Sequence, residues 1–186
     1  RQTLDAIPRN FATRGSPPMK ACWSLLCSLT ISFLVCYLFW QPLWHGGGLI
    51  GGDLYSYFLP QKQFLADSLS QGTIPLWNHR TGWGYPVMGE SQTGALYLPN
   101  LIAYSTLDVN SAYHYTQLLH YLFAFVVTFL YARIIGQTHL ASFWVALIYT
   151  YGWFPSRICL EWAIIGGMYF PLCLWLLESF LQSGKY

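Results

Sequence analysis

The chain has 186 residues, of which 9% are charged, 54% are hydrophobic and 19% are aromatic. Ordinary globular proteins carry roughly 25% charged residues, so these charges are too few to cover a soluble domain of this size. The high hydrophobicity excludes intrinsic disorder, and the net charge of +2 leaves no basic footprint for binding nucleic acid. The composition therefore predicts an integral membrane protein, with the lipid bilayer as its first partner.

The first long apolar run covers residues 21–40 and contains no charged residue. Twenty residues at 1.5 Å each span about 30 Å, the thickness of the hydrocarbon core, which predicts a first transmembrane helix. Residues 1–20 are polar and basic, and are predicted to be a flexible cytoplasmic tail by the positive-inside rule. A cleaved signal peptide is the alternative, disfavoured because the run is long and no small-residue cleavage site follows.

Residues 41–110 have a different texture, rich in Gly, Pro, Trp and Tyr and holding most of the acids of the chain. If the first helix leads out of the cytoplasm, this segment is an extracytoplasmic loop. Short helices are predicted at residues 55–70 and 98–107, the first with Phe58, Lys62 and Leu65 near one face. The second is too short to cross a membrane and is predicted to be interfacial or re-entrant.

Three further apolar stretches are predicted to be transmembrane helices, at residues 111–135, 139–154 and 162–182. The last contains two glycines and Pro171, which membrane helices tolerate when neighbouring groups satisfy the backbone. This arrangement leaves Arg133 and Lys185 on the cytoplasmic side. The predicted fold is all-α and polytopic, with about four transmembrane helices and a structured extracytoplasmic first loop of short helices.

Residues 51–100 carry a series of short motifs. A Gly-Asp pair ends at Asp53, and it is followed by YFLP at 57–60, GTIPLWN at 72–78, GWGYP at 82–86 and GALYLPN at 94–100. In this order the motifs resemble the first outer loop of bacterial YfhO-like membrane proteins, which belong with the GT-C class of lipid-linked-sugar glycosyltransferases. YFPL at 169–172, before a leucine-rich stretch, fits the same family. The resemblance covers about residues 20–182.

The resemblance implies an enzyme of the bacterial inner membrane that uses a polyprenyl-phosphate sugar as donor. It also implies an acid near the membrane surface, here Asp53, with Glu90 as a second catalytic candidate. Such a carboxylate acts as general base on the acceptor hydroxyl, or holds a divalent cation, Mg²⁺ or Mn²⁺, against the departing phosphate. Asp53 before a helix also fits an ordinary N-cap, whose carboxylate accepts hydrogen bonds from first-turn amides.

Four further residues of this loop are candidates for binding substrate: Lys62, Trp77, His79 and Arg80. The guanidinium of Arg80 offers forked donors suited to phosphate oxygens. The alternative for Arg80 is a salt bridge to Asp67 or Glu90. Trp77 is a candidate for stacking on a sugar ring, although most Trp and Tyr residues of membrane proteins anchor the chain at the interface.

Two functional hypotheses follow. In the first, the chain is the N-terminal part of a GT-C-type glycosyltransferase and is expected to be inactive alone, because four spans are too few for that architecture. In the second, it is a non-catalytic accessory or structural subunit of a larger complex, packed against other membrane subunits. A channel or transporter is disfavoured because paired intramembrane charges are lacking. A tetrapyrrole site at His114, His120 or His139 has no supporting motif.

Overall fold

The computed structural model of the chain describes residues 18–45, 53–152 and 161–184. Within these ranges the protein is helical, without strands, apart from an isolated antiparallel bridge between Asn78 and Tyr85. The all-α prediction is therefore confirmed for the described part of the chain. Most of the predicted cytoplasmic tail lies outside the described residues, and the end of that segment, residues 18–20, already belongs to the first helix.

Four helices form the main bundle: α1 (Pro18–Phe39), α5 (Val109–Ile134), α6 (His139–Gly152) and α7 (Glu161–Ser183). Among the described residues, Val109–Ile134 and Ala163–Ser183 are long and apolar enough to cross a membrane. The apolar stretch described within α1 is shorter, Leu26–Phe39. The 14 residues of α6 cover about 21 Å at 1.5 Å per residue. Two candidate spans thus support membrane association, and the four-span arrangement stays a prediction.

Helix α5 is the centre of the bundle and packs against α1, α6 and α7. Its side chains Leu118 and Phe125 are buried in the main core. Ser32 donates a hydrogen bond to the carbonyl of Leu122 at 3.1 Å, and the thiol of Cys36 contacts the carbonyl of Leu118 at 3.9 Å. Because rising residue numbers in α1 meet falling numbers in α5, these two helices are antiparallel.

Helix α7 continues through Pro171 without a break. A proline has no amide hydrogen, so the carbonyl four residues earlier, that of Gly167, loses its helical donor. The hydroxyl of Tyr149 in α6 donates to this carbonyl at 2.8 Å. A neighbouring helix therefore satisfies the backbone group that Pro171 leaves open, as membrane helices require.

Two shorter helical segments are also shaped by prolines. The four-residue helix α2 (Gln41–Trp44) begins with Pro42 near its N-terminus and folds back, so that Trp44 meets the ring of Phe33 edge-on at 5.3 Å. A π-helical turn, Leu54–Phe58, precedes helix α3 (Leu59–Ser70), which also has a proline, Pro60, in its first turn. In a regular α-helix the ring of Pro60 would clash with the carbonyl four residues earlier, and the wider π turn lies directly at this point of the chain.

Residues 53–108, which we call the loop unit, hold the candidate site residues. The unit contains the π turn, α3 and helix α4 (Leu98–Thr106), and it packs on α5 through both α3 and α4. Both short helices that the sequence predicts are present, at nearly the predicted bounds. Phe58, Lys62 and Leu65, predicted to share a face, are all buried.

Candidate functional site

Asp53 lies at the entrance of the loop unit, directly before the π turn. Its side chain is exposed and makes no capping hydrogen bond. Only its main-chain carbonyl takes part in the turn, accepting from the amides of Tyr57 at 2.8 Å and Phe58 at 3.0 Å. The structure therefore does not use Asp53 as a side-chain N-cap. Its carboxylate faces outward beside a π turn, a feature that is frequent at functional sites.

Tyr57 follows Asp53 by four residues and links the π turn to the rest of the loop unit. Its hydroxyl is hydrogen-bonded to the hydroxyl of Tyr85. Desolvation, this hydrogen bond and the negative charge of Glu90 together raise the pKa of Tyr57. Tyr57 is therefore a neutral phenol at physiological pH. In the sequence it lies between the two candidate acids, Asp53 and Glu90.

Glu90, the second candidate acid, holds a turn of its own loop. One carboxylate oxygen accepts from the amide of Gln92 at 2.7 Å. The other accepts from both the amide and the hydroxyl of Thr93, each at 2.7 Å. Charge-assisted bonds of this kind are about twice as strong as neutral ones. The structure thus gives Glu90 the task of anchoring this turn, and a catalytic role for it stays a prediction.

Lys62 lies in the interior of the loop unit rather than on a substrate surface. The residue has 0% exposure, and its ammonium donates to the carbonyl of Thr93 at 2.6 Å and lies 5.1 Å from the centre of the Tyr104 ring. A buried ammonium needs such partners to compensate for lost hydration. Lys62 and Glu90 therefore hold the same residue, Thr93, through its carbonyl and through its amide and hydroxyl.

The other three predicted substrate-binding residues line one small groove at the end of α3, which we call the polar groove. It has a volume of about 300 Å³ and is also lined by Asp67. The three predicted residues that line it are Trp77, His79 and Arg80. Among the described residues Asp53 does not line it, so the structure brings together three of the predicted binding residues without the predicted catalytic acid.

Arg80 and Asp67 form a salt bridge in the polar groove, one of the alternatives that the sequence leaves open for Arg80. The hydrogen bond from Arg80, followed by one from Gln63 at 2.8 Å, lowers the pKa of Asp67. The guanidinium also lies 5.7 Å from the centre of the Phe64 ring. A guanidinium has five N–H donors, and the side chain of Arg80 is 51% exposed, so it can pair with Asp67 and bind a further anion.

The segment that carries the polar groove is held by Asn78. Its buried side-chain amide donates to Gln61 at 3.1 Å, and its backbone exchanges two hydrogen bonds with Tyr85, at 2.7 and 3.0 Å. Gly84 lets the ring of Trp77 approach closely, because a Cβ at this position would lie 2.0 Å from Trp77 Nε1. The motif residues Asn78 and Gly84 therefore set the position of the indole.

Within residues 18–45, 53–152 and 161–184, no group of three or more His, Cys, Asp or Glu side chains is placed to hold a metal ion. Asp53 is therefore not part of such a group among the described residues. A divalent cation at Asp53 stays a prediction, and it would draw further ligands from the phosphate of a bound donor.

A second polar cluster was not predicted from the sequence. The hydroxyl of Tyr97 lies 2.6 Å from His120 Nε2, and His120 Nδ1 lies 2.6 Å from the carbonyl of Thr116. The hydroxyl of Tyr169 donates to that of Tyr97 at 3.2 Å. Tyr97 and Tyr169 belong to two separate motifs, GALYLPN and YFPL. The tyrosine in each motif was the one sequence signal that could have indicated this cluster. Periodicity within one helix cannot reveal a contact between Tyr97 and Tyr169, which lie on different elements.

Comparison with protein-family models, curated proteins and solved structures finds no match for this chain. The likeness to YfhO-like proteins therefore depends on the motifs alone.

Proposed function

We propose that this chain is part of a membrane glycosyltransferase of GT-C type that takes its sugar from a polyprenyl-phosphate donor on the extracytoplasmic side of the bacterial inner membrane. In this proposal α1, α5, α6 and α7 cross the bilayer, the N-terminus is cytoplasmic and the loop unit faces outward. The observation that carries this proposal is the exposed carboxylate of Asp53. This residue is the first of the loop unit, and its side chain does not serve as a helix cap.

The chemistry assigned to Asp53 is that of a general base. Its carboxylate takes the proton of the acceptor hydroxyl while that oxygen attacks the anomeric carbon, and the bond to the polyprenyl phosphate breaks as the phosphate leaves. In the alternative role, Asp53 holds Mg²⁺ or Mn²⁺ against the leaving phosphate. The polar groove, which Asp53 does not line, offers Arg80 as a donor to phosphate oxygens and Trp77 as a surface for a sugar ring.

The variant Asp53→Asn tests this proposal in the full-length protein in its native membrane. It keeps the shape of the side chain and removes its basicity, so sugar transfer is expected to fall by about 100-fold or more. A matched control is Asp108→Asn, because Asp108 caps α5 by accepting from the amide of Ser111 at 3.1 Å, and Asn is an equally good cap. Transfer at the wild-type rate by Asp53→Asn would refute the proposed role.

Metal dependence separates the two roles of Asp53. If the carboxylate holds a cation, a chelator abolishes transfer by the wild-type protein and added Mg²⁺ or Mn²⁺ restores it. If the carboxylate is the base, chelation leaves the rate unchanged.

A second candidate function is that of an accessory subunit, and the exposed apolar face of α7 favours it. Among the side chains of this helix that the structure describes, five large apolar ones are at least half exposed: Phe170, Leu176, Leu177, Phe180 and Leu181. Such a face packs against lipid or against another membrane subunit. Purification from native membranes distinguishes the two, because a stoichiometric complex without transferase activity would support the subunit and contradict the enzyme.

A further inference from the structure

A long apolar cavity, which we call the lateral groove, runs between α4, α5 and α7. Its volume is about 710 Å³, within the usual range for small-ligand sites. Apolar side chains from all three helices line most of it, among them Leu98, Ile102, Leu119, Phe123, Met168 and Leu172. Two of the helices that form it, α5 and α7, contain the two candidate membrane-crossing segments found among the described residues. The groove is therefore suited to the hydrocarbon chain of a membrane lipid.

One end of the lateral groove is polar and has a defined hydrogen-bond direction. The carbonyl of Thr116 can only accept, so Nδ1 of His120 is the donor of their 2.6 Å contact. In the neutral imidazole Nε2 is then the acceptor, and Tyr97 donates to it. Tyr169 in turn donates to the hydroxyl of Tyr97. The hydrogen bonds among the three side chains are thus all donated in one direction, from Tyr169 to Tyr97 and from Tyr97 to His120.

The direction of these hydrogen bonds determines which kind of lipid head group can bind at the polar end of the lateral groove. The proton of the Tyr169 hydroxyl points to Tyr97, so the partly exposed Tyr169 presents lone pairs to a ligand. A ligand that donates a hydrogen bond, such as an alcohol, completes the chain. A phosphate, which only accepts when ionised, would meet an acceptor. The described residues lining the groove include no Lys or Arg to balance a phosphate charge.

A second cavity adjoins the lateral groove at Tyr97. It has a volume of about 490 Å³, and Tyr97 lines both cavities. Its other described lining residues are uncharged: Ser91, Gln92, Gly94, Ile165 and Gly166. Tyr97 therefore stands at the boundary between an apolar space and a neutral polar one.

We propose that the lateral groove binds a membrane lipid alcohol, an amphiphile with a long hydrocarbon chain and an uncharged hydroxyl head. The chain lies along α4, α5 and α7, and the hydroxyl donates to Tyr169. This proposal does not depend on the glycosyltransferase activity or on Asp53, and it fails or succeeds separately from them.

Photocrosslinking in lipid nanodiscs tests this site. Three probes share one diazirine-bearing alkyl chain and differ at the head, which is a free alcohol, its methyl ether or its phosphate monoester. Labelled peptides are identified by mass spectrometry. Because one hydrogen bond separates the alcohol from the ether, α4, α5 and α7 are expected to be labelled about fivefold more by the alcohol.

The variant Tyr169→Phe keeps the ring and removes the acceptor, so its labelling by the alcohol is expected to fall to the level of the ether. The control is Tyr115→Phe, because Tyr115 also lines the lateral groove and is 50% exposed, but its hydroxyl is outside the chain to His120. Equal labelling of the wild-type protein by alcohol and ether would overturn the proposal without any variant. Stronger labelling by the phosphate, or an unchanged yield in Tyr169→Phe, would overturn it as well.

Discussion

At the scale of single residues, the polar interactions of the loop unit converge on Thr93. Its backbone and side chain are bound by Lys62 on one side and by Glu90 on the other, and all the bonds are 2.6–2.7 Å long. Neither Lys62 nor Glu90 lines the polar groove. Two of the charged residues that sequence patterns mark as candidates for chemistry therefore stabilise the loop that carries the motifs.

We expect the substitution Glu90→Ala to lower the free energy of unfolding by about 1–3 kcal/mol, because the partly buried donors of Thr93 lose their acceptor. Thermal or chemical unfolding of the purified protein in detergent measures the change. The neighbouring substitution Ser91→Ala, at an exposed position, serves as the control and is expected to have little effect. Unchanged stability of Glu90→Ala would show that its carboxylate does not anchor the turn.

The pair of Asp67 and Arg80 predicts a pH dependence. The pKa of Asp67 is lowered from an ordinary value of 3.8 by its hydrogen bonds, first that from Arg80 and then that from Gln63. The pair therefore stabilises the fold fully above the ordinary pKa, and this contribution is lost as pH falls through the lower folded-state pKa. At neutral pH, Asp67→Asn is expected to be less stable than wild type by up to about 1 kcal/mol, since the pair is partly exposed.

Unfolding midpoints of wild type and Asp67→Asn, compared across the acid range, check this dependence. The difference between them should vanish once Asp67 is protonated in the folded protein. A gap that is constant with pH would mean that the ion pair is not its source.

The burial of Lys62 shows what sequence reasoning can reach at this scale. The spacing of Phe58, Lys62 and Leu65 predicts a shared face, and the structure buries all three. The carbonyl that binds the ammonium belongs to Thr93, which is 31 residues away. No local pattern indicates this partner, because only the tertiary packing within the loop unit brings Thr93 near α3.

At the scale of elements, α6 and α7 are coupled through the carbonyl of Gly167. We expect Tyr149→Phe to lower the free energy of unfolding by about 1 kcal/mol, since this partly buried carbonyl then has no side-chain donor. In a Pro171→Ala background, the amide of the new residue supplies the helical hydrogen bond, and the same substitution is expected to have a smaller effect. A double-mutant cycle measures the coupling. Equal effects of Tyr149→Phe in both backgrounds would contradict this account of the proline.

The turn that carries Trp77 depends on a glycine. Gly84 has φ +103° and leaves space that a Cβ would take from the indole. Gly84→Ala is expected to lower the free energy of unfolding by about 1–3 kcal/mol and to shift the tryptophan fluorescence, because Trp77 has to move. Gly89→Ala is the matched control, since a Cβ there would meet its nearest atom at 3.8 Å. Equal effects of the two substitutions would show that Gly84 has no special role.

The bounds of the helices could be predicted from the sequence better than their local geometry could. Long apolar runs and the prolines and glycines between them place α3 to α7 within a few residues of the predicted bounds. The π turn before Pro60 was not predicted, because the proline indicates that one hydrogen bond is lost but does not specify how the chain adapts. The fold-back of α2 after Trp40 depends on the contact between Trp44 and Phe33, which periodicity does not encode.

At the scale of the whole molecule, the helices surround α5, whose N-terminal half meets the loop unit and which also packs against α7. Gln182 of α7 donates to the carbonyl of Ile134 at 3.1 Å, so the C-terminal ends of α5 and α7 lie together. The lateral groove is formed by α4 and α5, which follow each other in the sequence, together with the more distant α7. Composition predicts a membrane protein, but a cavity of this kind emerges only when the helices are packed.

In the proposed topology, α5 crosses the membrane with the loop unit outside, where a lipid-linked sugar reaches Asp53. The most direct measurement uses a variant lacking the native cysteines, with single cysteines at Trp83→Cys in the loop unit and Gln137→Cys in the turn between α5 and α6. Both positions are exposed. A membrane-impermeant thiol reagent is predicted to label Trp83→Cys in intact cells and Gln137→Cys only after permeabilisation. The reverse pattern, or labelling of both positions in intact cells, would show that the proposed topology is wrong.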